Sequence, residues 1–310
     1  MSRCDVLVAG EYFCDLVFAG LDGAPRLGTE HMADDLVIMP GGTYTMALAL
    51  TRLGLDTRWA NTFGNDLFSR FVRDTAAADG IDASAFTHLD QPVQRVSVAY
   101  SALGERGFIS FSQPEVEPPP QPSIAAIDAQ WLLQTFRFEP DWLRFVATQK
   151  QRGAKVLLDC RGGDFDLTTR GVSELIALAD IFSPNAEEAL RLTGASTVEA
   201  AGRRLSELAP VVVVKCGADG AQWHDGTGMY QVPSPCVQVV DTVGAGDSFN
   251  AGLLAGLVRG TDLERAVTLG VLCGSLSTTA TGGRACPTAE ALEAFTQTLA
   301  AGQPDQNVNH

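Results

Sequence analysis

Apolar positions along this chain follow two alternating rhythms. Short β-branched and apolar runs stand at Val6–Ala9, Val156–Asp159, Ile181–Ser183 and Val211–Lys215. Runs without polar alternation predict strands covered on both faces, as in a parallel sheet. Between and beyond them, apolar residues recur at helical spacing. That spacing predicts helices over Thr45–Leu53, Leu67–Asp79, Asp141–Arg152, Ala186–Thr193, Val198–Leu208, Leu263–Thr279 and Ala289–Leu299. Strands alternating with helices predict an α/β fold, a mostly parallel sheet flanked by helices. No internal repeat is visible.

Two segments break the rhythm. Asp15–Ile38 and Val93–Ser112 lack helical periodicity and carry the turn signals Asp22-Gly23 and Gly104-Glu105. Both read as strand pairs without crossover helices. Glu115–Pro122 holds four prolines and is expected to be irregular. The polar stretch Gln303–His310 reads as a frayed tail.

Composition narrows the class. The 310 residues, 45% of them hydrophobic, suffice for one large α/β domain, with or without a small appendage. A net charge of −15 argues against a nucleic-acid surface. Lysine is confined to Lys150, Lys155 and Lys215, and no polybasic arm exists. The seven Cys are scattered without a Cys-x-x-Cys pair, which fits neither a disulfide framework nor a zinc site. They suit a reduced, cytoplasmic interior. Asp5, Glu11 and Asp15 interrupt Met1–Gly20, unlike a signal peptide. The uncharged run Ala266–Gly283 is rich in Ser, Thr and Gly. It reads as a buried helix and its exit loop rather than a membrane span.

Candidate chemistry concentrates in Asp241–Phe249, which reads Asp-Thr-Val-Gly-Ala-Gly-Asp-Ser-Phe. A strand-like run, Val237–Val240, leads into it, and an apolar helical segment, Ser248–Val258, follows. Gly244 and Gly246 allow a tight turn and a close approach of backbone to ligand. Amides at the start of the helix converge on one spot, which suits an anion. Asp247 sits at that convergence, placed to act as base for a hydroxyl held beside a phosphate. Phosphoryl transfer needs that pair: a base for the nucleophile and positive dipoles for the developing charge.

This nine-residue string closely resembles the C-terminal signature of the ribokinase (PfkB) family of carbohydrate kinases. The resemblance runs in the family's order over roughly residues 3–300. It implies a ribokinase-like, doubly wound sheet with a small β lid formed by about residues 15–38 and 93–112, and a polar tail at 301–310. It implies ATP as co-substrate, Mg²⁺, a small sugar as acceptor and pairing of two copies through the lid. Gly244, Ala245, Gly246 and Asp247 then correspond to the anion hole and the catalytic base.

Other motifs follow by the same resemblance. Pro40-Gly41-Gly42 opens a helix whose first turn holds Thr45 where the family usually has a substrate-binding Asn. Thr offers one hydroxyl where Asn offers a carbonyl and an amino group, so the sugar contact must differ. Asp15 matches an Asp that accepts from sugar hydroxyls, and it also reads as an exposed loop acid. Asp66, in Phe63-Gly64-Asn65-Asp66, reads equally as a helix cap or a border of the sugar pocket. Arg161 matches a position that touches substrate or phosphate in relatives, or else is a loop arginine.

Asn185 and Glu188 fit the Asn-x-x-Glu motif that organises water around Mg²⁺ and phosphate; the same spacing suits an ordinary helix start. Lys215, Gly217 and Gly220 resemble the nucleotide loop, and Gly282 lies in the stretch that flanks adenine and ribose. Asp241 and Val243 resemble a monovalent-cation site, which would take K⁺.

Other enzyme classes lack their motifs: no Gly-x-x-x-x-Gly-Lys-Ser/Thr, no Gly-x-Gly-x-x-Gly after the first strand, no Gly-x-Ser-x-Gly. Two readings remain beside the sugar kinase: a nucleoside kinase of the same family, and a catalytically silent sugar- or nucleotide-binding protein.

Overall fold

The computed structural model describes residues 3–102, 105–113, 122–280, 282 and 285–302. The turn at Gly104, the proline-rich stretch before Pro122, Gly283 and the tail Gln303–His310 lie outside the described residues.

The first half of the chain forms β1 (Cys4–Ala9), β2 (Tyr12–Leu21), β3 (Asp35–Gly42), α1 (Thr43–Arg52), β4 (Thr57–Phe63), α2 (Leu67–Ala78), β5 (Phe86–His88), β6 (Arg95–Ala102), β7 (Glu105–Ser112), α3 (Pro122–Ala125), β8 (Ala129–Thr135) and α4 (Pro140–Gln151). The second half forms β9 (Lys155–Asp159), α5 (Val172–Leu178), β10 (Ile181–Ser183), α6 (Ala186–Thr193), α7 (Val198–Leu205), β11 (Val211–Lys215), β12 (Ala221–His224), β13 (Met229–Val232), α8 (Ala245–Val258), α9 (Leu263–Ser277) and α10 (Ala289–Gly302).

A nine-stranded sheet runs β13-β12-β11-β10-β9-β8-β1-β4-β5. The seven strands from β11 to β5 are parallel, and β12 and β13 add an antiparallel edge. Two apolar clusters cover its faces. One joins α1, α8 and α9 through residues such as Leu48, Leu253 and Val267; the other joins α4, α5 and α7 through Val146, Ile176 and Leu205. Burial on both faces is why Val211–Val214 needs no polar alternation. In such a sheet, ligands bind beyond the carboxyl ends of the strands.

The second sheet, β3-β2-β6-β7, is the lid. Its two hairpin-like pairs are joined by parallel pairing of β2 with β6. Alternation along β6 separates its faces: Arg95, Ser97 and Ala99 are buried, while Val96, Val98 and Tyr100 are half-buried. Ile38, Leu16, Val98 and Ile109 form one cross-strand row on the outer face. Ile38, Ile109 and Phe111 on that face are about half exposed or more, at 49%, 67% and 49%. Val93, at the start of the same segment, is 1% exposed, its amide bound to Asp66.

Several expectations need correction. Val237–Val240 is not a strand. It pairs with no strand among the described residues, Val239 and Val240 are exposed, and only the Val240 amide is anchored, to Thr278 O at 2.8 Å. An apolar run becomes a strand only where a neighbouring strand takes its backbone groups. Helix α8 starts at Ala245 rather than Ser248, and α10 runs on to Gly302. Pro122 opens the short α3, where a first-turn proline has no hydrogen bond to lose. Strands β4, β5, β8, β12 and β13 were not marked by the apolar pattern, because Thr, Asn, Gln and His interrupt it.

Candidate active site

The turn before α8 carries the geometry of an anion site. Gly244 is the N-cap, with φ at +76°, a left-handed conformation that suits glycine. Asp247 therefore lies in the first helical turn rather than ahead of it. The Ala245 amide turns back to Thr242 O at 3.3 Å and the Ser248 amide to Gly244 O at 2.9 Å. Among the described residues the Gly244, Gly246 and Asp247 amides meet no acceptor, which leaves three amides of the turn open to an anion.

Behind this turn lies a polar chain built by residues from four separate elements. Lys215 Nζ stands 2.7 Å from Asp159 Oδ1, and the side chains are 14% and 12% exposed. Asn250 Nδ2 donates to the same Asp159 oxygen at 2.6 Å, and Ser183 Oγ donates to Asn250 Oδ1 at 2.8 Å. A methyl group placed on Gly246 would lie 3.6 Å from Lys215 Nζ. Lys215 thus sits under the turn, committed to Asp159 rather than extended along the Gly217–Gly220 turn. Burial disfavours its charge, yet Asp159, Glu188 and Asp247 hold its pKa above the ordinary lysine value. Asp247 is pushed up to about 8, by burial first and by repulsion from Asp159 second, with Lys215 opposing.

Asp15 lies within β2 rather than in a loop after the first strand, because the chain re-enters extended structure at Tyr12. Its carboxylate rests directly on Gly41, where any side chain would collide with it. Burial pushes its pKa up to about 6. Gly42, with φ at +63°, closes against the Glu11 carbonyl and serves as N-cap of α1. Thr45 is buried in the first turn of α1 at 4% exposure. Its neighbour Thr43 ties the corner, donating to Glu11 O at 3.0 Å and accepting from Trp59 Nε1 at 2.9 Å.

Asn185 and Glu188 form a reciprocal capping box at the start of α6. Each accepts the other's backbone amide at 2.8 Å. A backbone bridge sets Asn185 beside Lys215. Burial raises the Glu188 pKa, and Lys215 partly offsets it. Gly217 and Gly220 bound a tight turn with positive φ at both; at Gly220 a side chain would also strike the Val232 carbonyl. Asp241 accepts from the Val243 amide at 3.0 Å and the Gly282 amide at 2.8 Å. Gly282 also lies against Met39 of the lid. Arg161 is exposed and spends its Nε on Phe136 O at 3.0 Å. Asp66 caps α2 through the Phe68 and Ser69 amides.

The pfkB family carbohydrate kinase model matches residues 28–290. The chain belongs to the PfkB family of carbohydrate kinases. Aminoimidazole riboside kinase of Salmonella typhimurium is 29% identical to this kinase over 296 residues, covering 88% of this chain and 92% of that protein. An Arabidopsis thaliana ribokinase solved with ribose and ATP superposes with a TM-score of 0.81 at 22% identity, over 95% of this chain and 99% of that one. A candidate ribokinase II from Escherichia coli, solved with ATP and Mg²⁺, gives 0.77 at 24% identity, over 95% and 99%. The kinase has the ribokinase-like fold: a large, mostly parallel sheet with a four-stranded lid.

Sequence reasoning missed one polar cluster of the kinase, at the base of the lid. Glu11 Oε2 pairs with Arg137 at 3.2 Å, and Glu11 Oε1 accepts from Ser112 Oγ at 3.2 Å and faces Arg95 at 3.9 Å. Arg95 and Arg137 are 5% and 6% exposed. No local pattern marks these residues; only the fold brings Arg95 and Ser112 of the lid together with Glu11 after β1 and Arg137 after β8.

Proposed function

We propose that this kinase transfers the γ-phosphoryl group of ATP to a hydroxyl of a small sugar or sugar-derived acceptor, with Asp247 as base. The observation that carries the reading is the α8 turn. It holds a carboxylate of raised pKa among three unpartnered amides, with a lysine beneath. Asp247 takes the proton of the acceptor hydroxyl as its oxygen attacks the γ-phosphorus. The bond from that phosphorus to the β,γ-bridging oxygen breaks, and ADP leaves. The Gly246 and Asp247 amides, with Lys215 behind them, stabilise charge on the transferring group. A base whose pKa lies near working pH combines availability with proton affinity.

Asp15 and the Gly41–Gly42 corner would hold the acceptor under the lid. The turn at Gly217–Gly220 and the loop ordered by Asp241 at Gly282 would flank the nucleotide. Among the described residues no three His, Cys, Asp or Glu side chains cluster to hold a metal. Glu188 keeps one oxygen for the cap, and its other is the group that would reach Mg²⁺ through water. When bound, the ion neutralises phosphate charge. All seven Cys are free thiols, in keeping with a cytoplasmic setting. No helix among the described residues is long and apolar enough to cross a membrane.

A coupled ADP-release screen over sugars, sugar acids, sugar phosphates and nucleosides tests this reading. Acceptor-dependent ADP formation is expected from a sugar or sugar derivative. Faster turnover of nucleosides than of any sugar would make it a nucleoside kinase. ATP binding with no acceptor-dependent turnover would make it a silent binding protein.

Glu188→Gln isolates the metal role. Gln also satisfies a capping box, so α6 keeps its start while the charge goes. The expected result is a higher Mg²⁺ concentration for half-maximal rate with little change in acceptor KM. An unchanged magnesium titration rejects the role.

The outer lid face supports pairing of two copies. A half-exposed apolar row on a two-faced sheet favours burial by a partner, and two-fold pairing is the simplest closed solution. Light scattering during size exclusion should give a dimer mass. A monomer mass across micromolar concentrations would reject lid pairing.

A further inference from the structure

We infer that Arg95 binds an anionic group of the acceptor, a carboxylate or a phosphate distinct from the hydroxyl being phosphorylated. Arg95 opens β6. The next residues, Val96 and Ser97, pair with Cys14 and Asp15 of β2. Alternation therefore sets Arg95 on the same face of the lid as Asp15, one row nearer the core. The inference rests on the proposed reading that this face covers the acceptor.

The guanidinium is placed but poorly satisfied. Arg95 is 5% exposed. Nη1 reaches Asn61 Oδ1 at 3.5 Å, the long limit of a hydrogen bond. Nε faces Glu11 Oε1 at 3.9 Å, too far to donate. The Tyr12 ring lies 5.1 Å below. Among the described residues no carboxylate lies within hydrogen-bond distance of its fork, although a guanidinium carries five donors.

The nearest acid is already engaged more closely elsewhere, Glu11 with Arg137 and Ser112 at 3.2 Å each. Glu11 therefore orients Arg95 without filling its fork. A buried cation calls for a close counter-charge, which a neutral hydroxyl does not supply. The planar fork matches a carboxylate or phosphate through two parallel bonds.

The test uses the purified full chain with Mg²⁺ and ATP, and sets of acceptors that differ only in the anion: a neutral sugar, its sugar acid and its phosphate monoester. One anionic member of a set should exceed the neutral parent in kcat/KM. Arg95→Gln should lower kcat/KM for that member by about 10- to 100-fold, mostly through KM, the range expected for a lost charge-assisted hydrogen bond. The neutral parent should lose far less. The acid and phosphate arms tell the two anions apart.

Arg95→Lys, which keeps the charge but loses the fork, should fall between, and it carries the test if the Gln variant does not fold. Equal losses for neutral and anionic acceptors, or a neutral parent preferred by the wild type, overturn the inference and leave a lid anchor. Calorimetric titration with the same compounds separates this from the kinase reading. Arg95-dependent affinity for the anion without turnover would sink the kinase reading and keep the inference.

Discussion

Asp247→Asn should lose about 10²–10⁴ in kcat, the usual cost of removing a general base, and should melt higher than the wild type at alkaline pH. Both effects come from one placement. The carboxylate lies in the first turn of α8, half-buried and repelled by Asp159, with its pKa pushed up to about 8 against an ordinary 3.8. Binding of ATP and acceptor should survive, because Asn keeps the shape and the backbone amides.

The stability sign follows from proton binding. The unfolded carboxyl loses its proton near pH 4, whereas the native one keeps it to about 8. Between those values the native state binds more protons, so wild-type stability falls as pH rises through the window. Above it the destabilisation is complete, on the order of a few kcal/mol. Asn carries no such cost. The Tm difference between variant and wild type should grow from pH 5 to pH 8.5, while wild-type kcat/KM climbs towards a plateau above about pH 8. A near-wild-type kcat in the variant removes the base assignment. A Tm difference flat with pH removes the burial argument.

Lys215→Met should destabilise the protein by about 3–5 kcal/mol, the cost of leaving one member of a buried ion pair alone. Lys215 is the cation 2.7 Å from Asp159, and its charge also opposes the rise in the Asp247 pKa. Its removal should move the pH limb of kcat/KM further to alkaline values. Adding Asp159→Asn should recover much of the lost stability, because the two residues form one unit. Thermal melts and pH–rate profiles of the single and double variants check this. An unchanged Tm for Lys215→Met would mean that the pair is solvated and that the positive charge beneath the turn is screened.

Much of the candidate site's local geometry was legible where it depends on neighbouring residues. The Asn185/Glu188 spacing gives a capping box by its own geometry, whatever else it binds. The Gly244 turn was readable because a left-handed residue before a helix favours glycine. Its details were less so. Val237–Val240 looked like a strand, but among the described residues no neighbouring strand stands beside it. Lys215 looked free to reach a nucleotide, but its partner Asp159 lies 56 positions away along the chain.

By itself the sequence determined the alternation of doubly covered strands and helices, the two lid segments, and the turn that opens α8. Each depends on residues close together in the chain: periodicity, capping groups and the conformational freedom of glycine. Tertiary structure alone decided which charges are buried and what faces them. It set Arg95 over Tyr12 with its fork unfilled, drew Lys215 under the turn, and raised the Asp247 pKa. Desolvation and ion pairing depend on whatever packs within a few ångströms, and here those neighbours come from distant strands of two sheets and from α8.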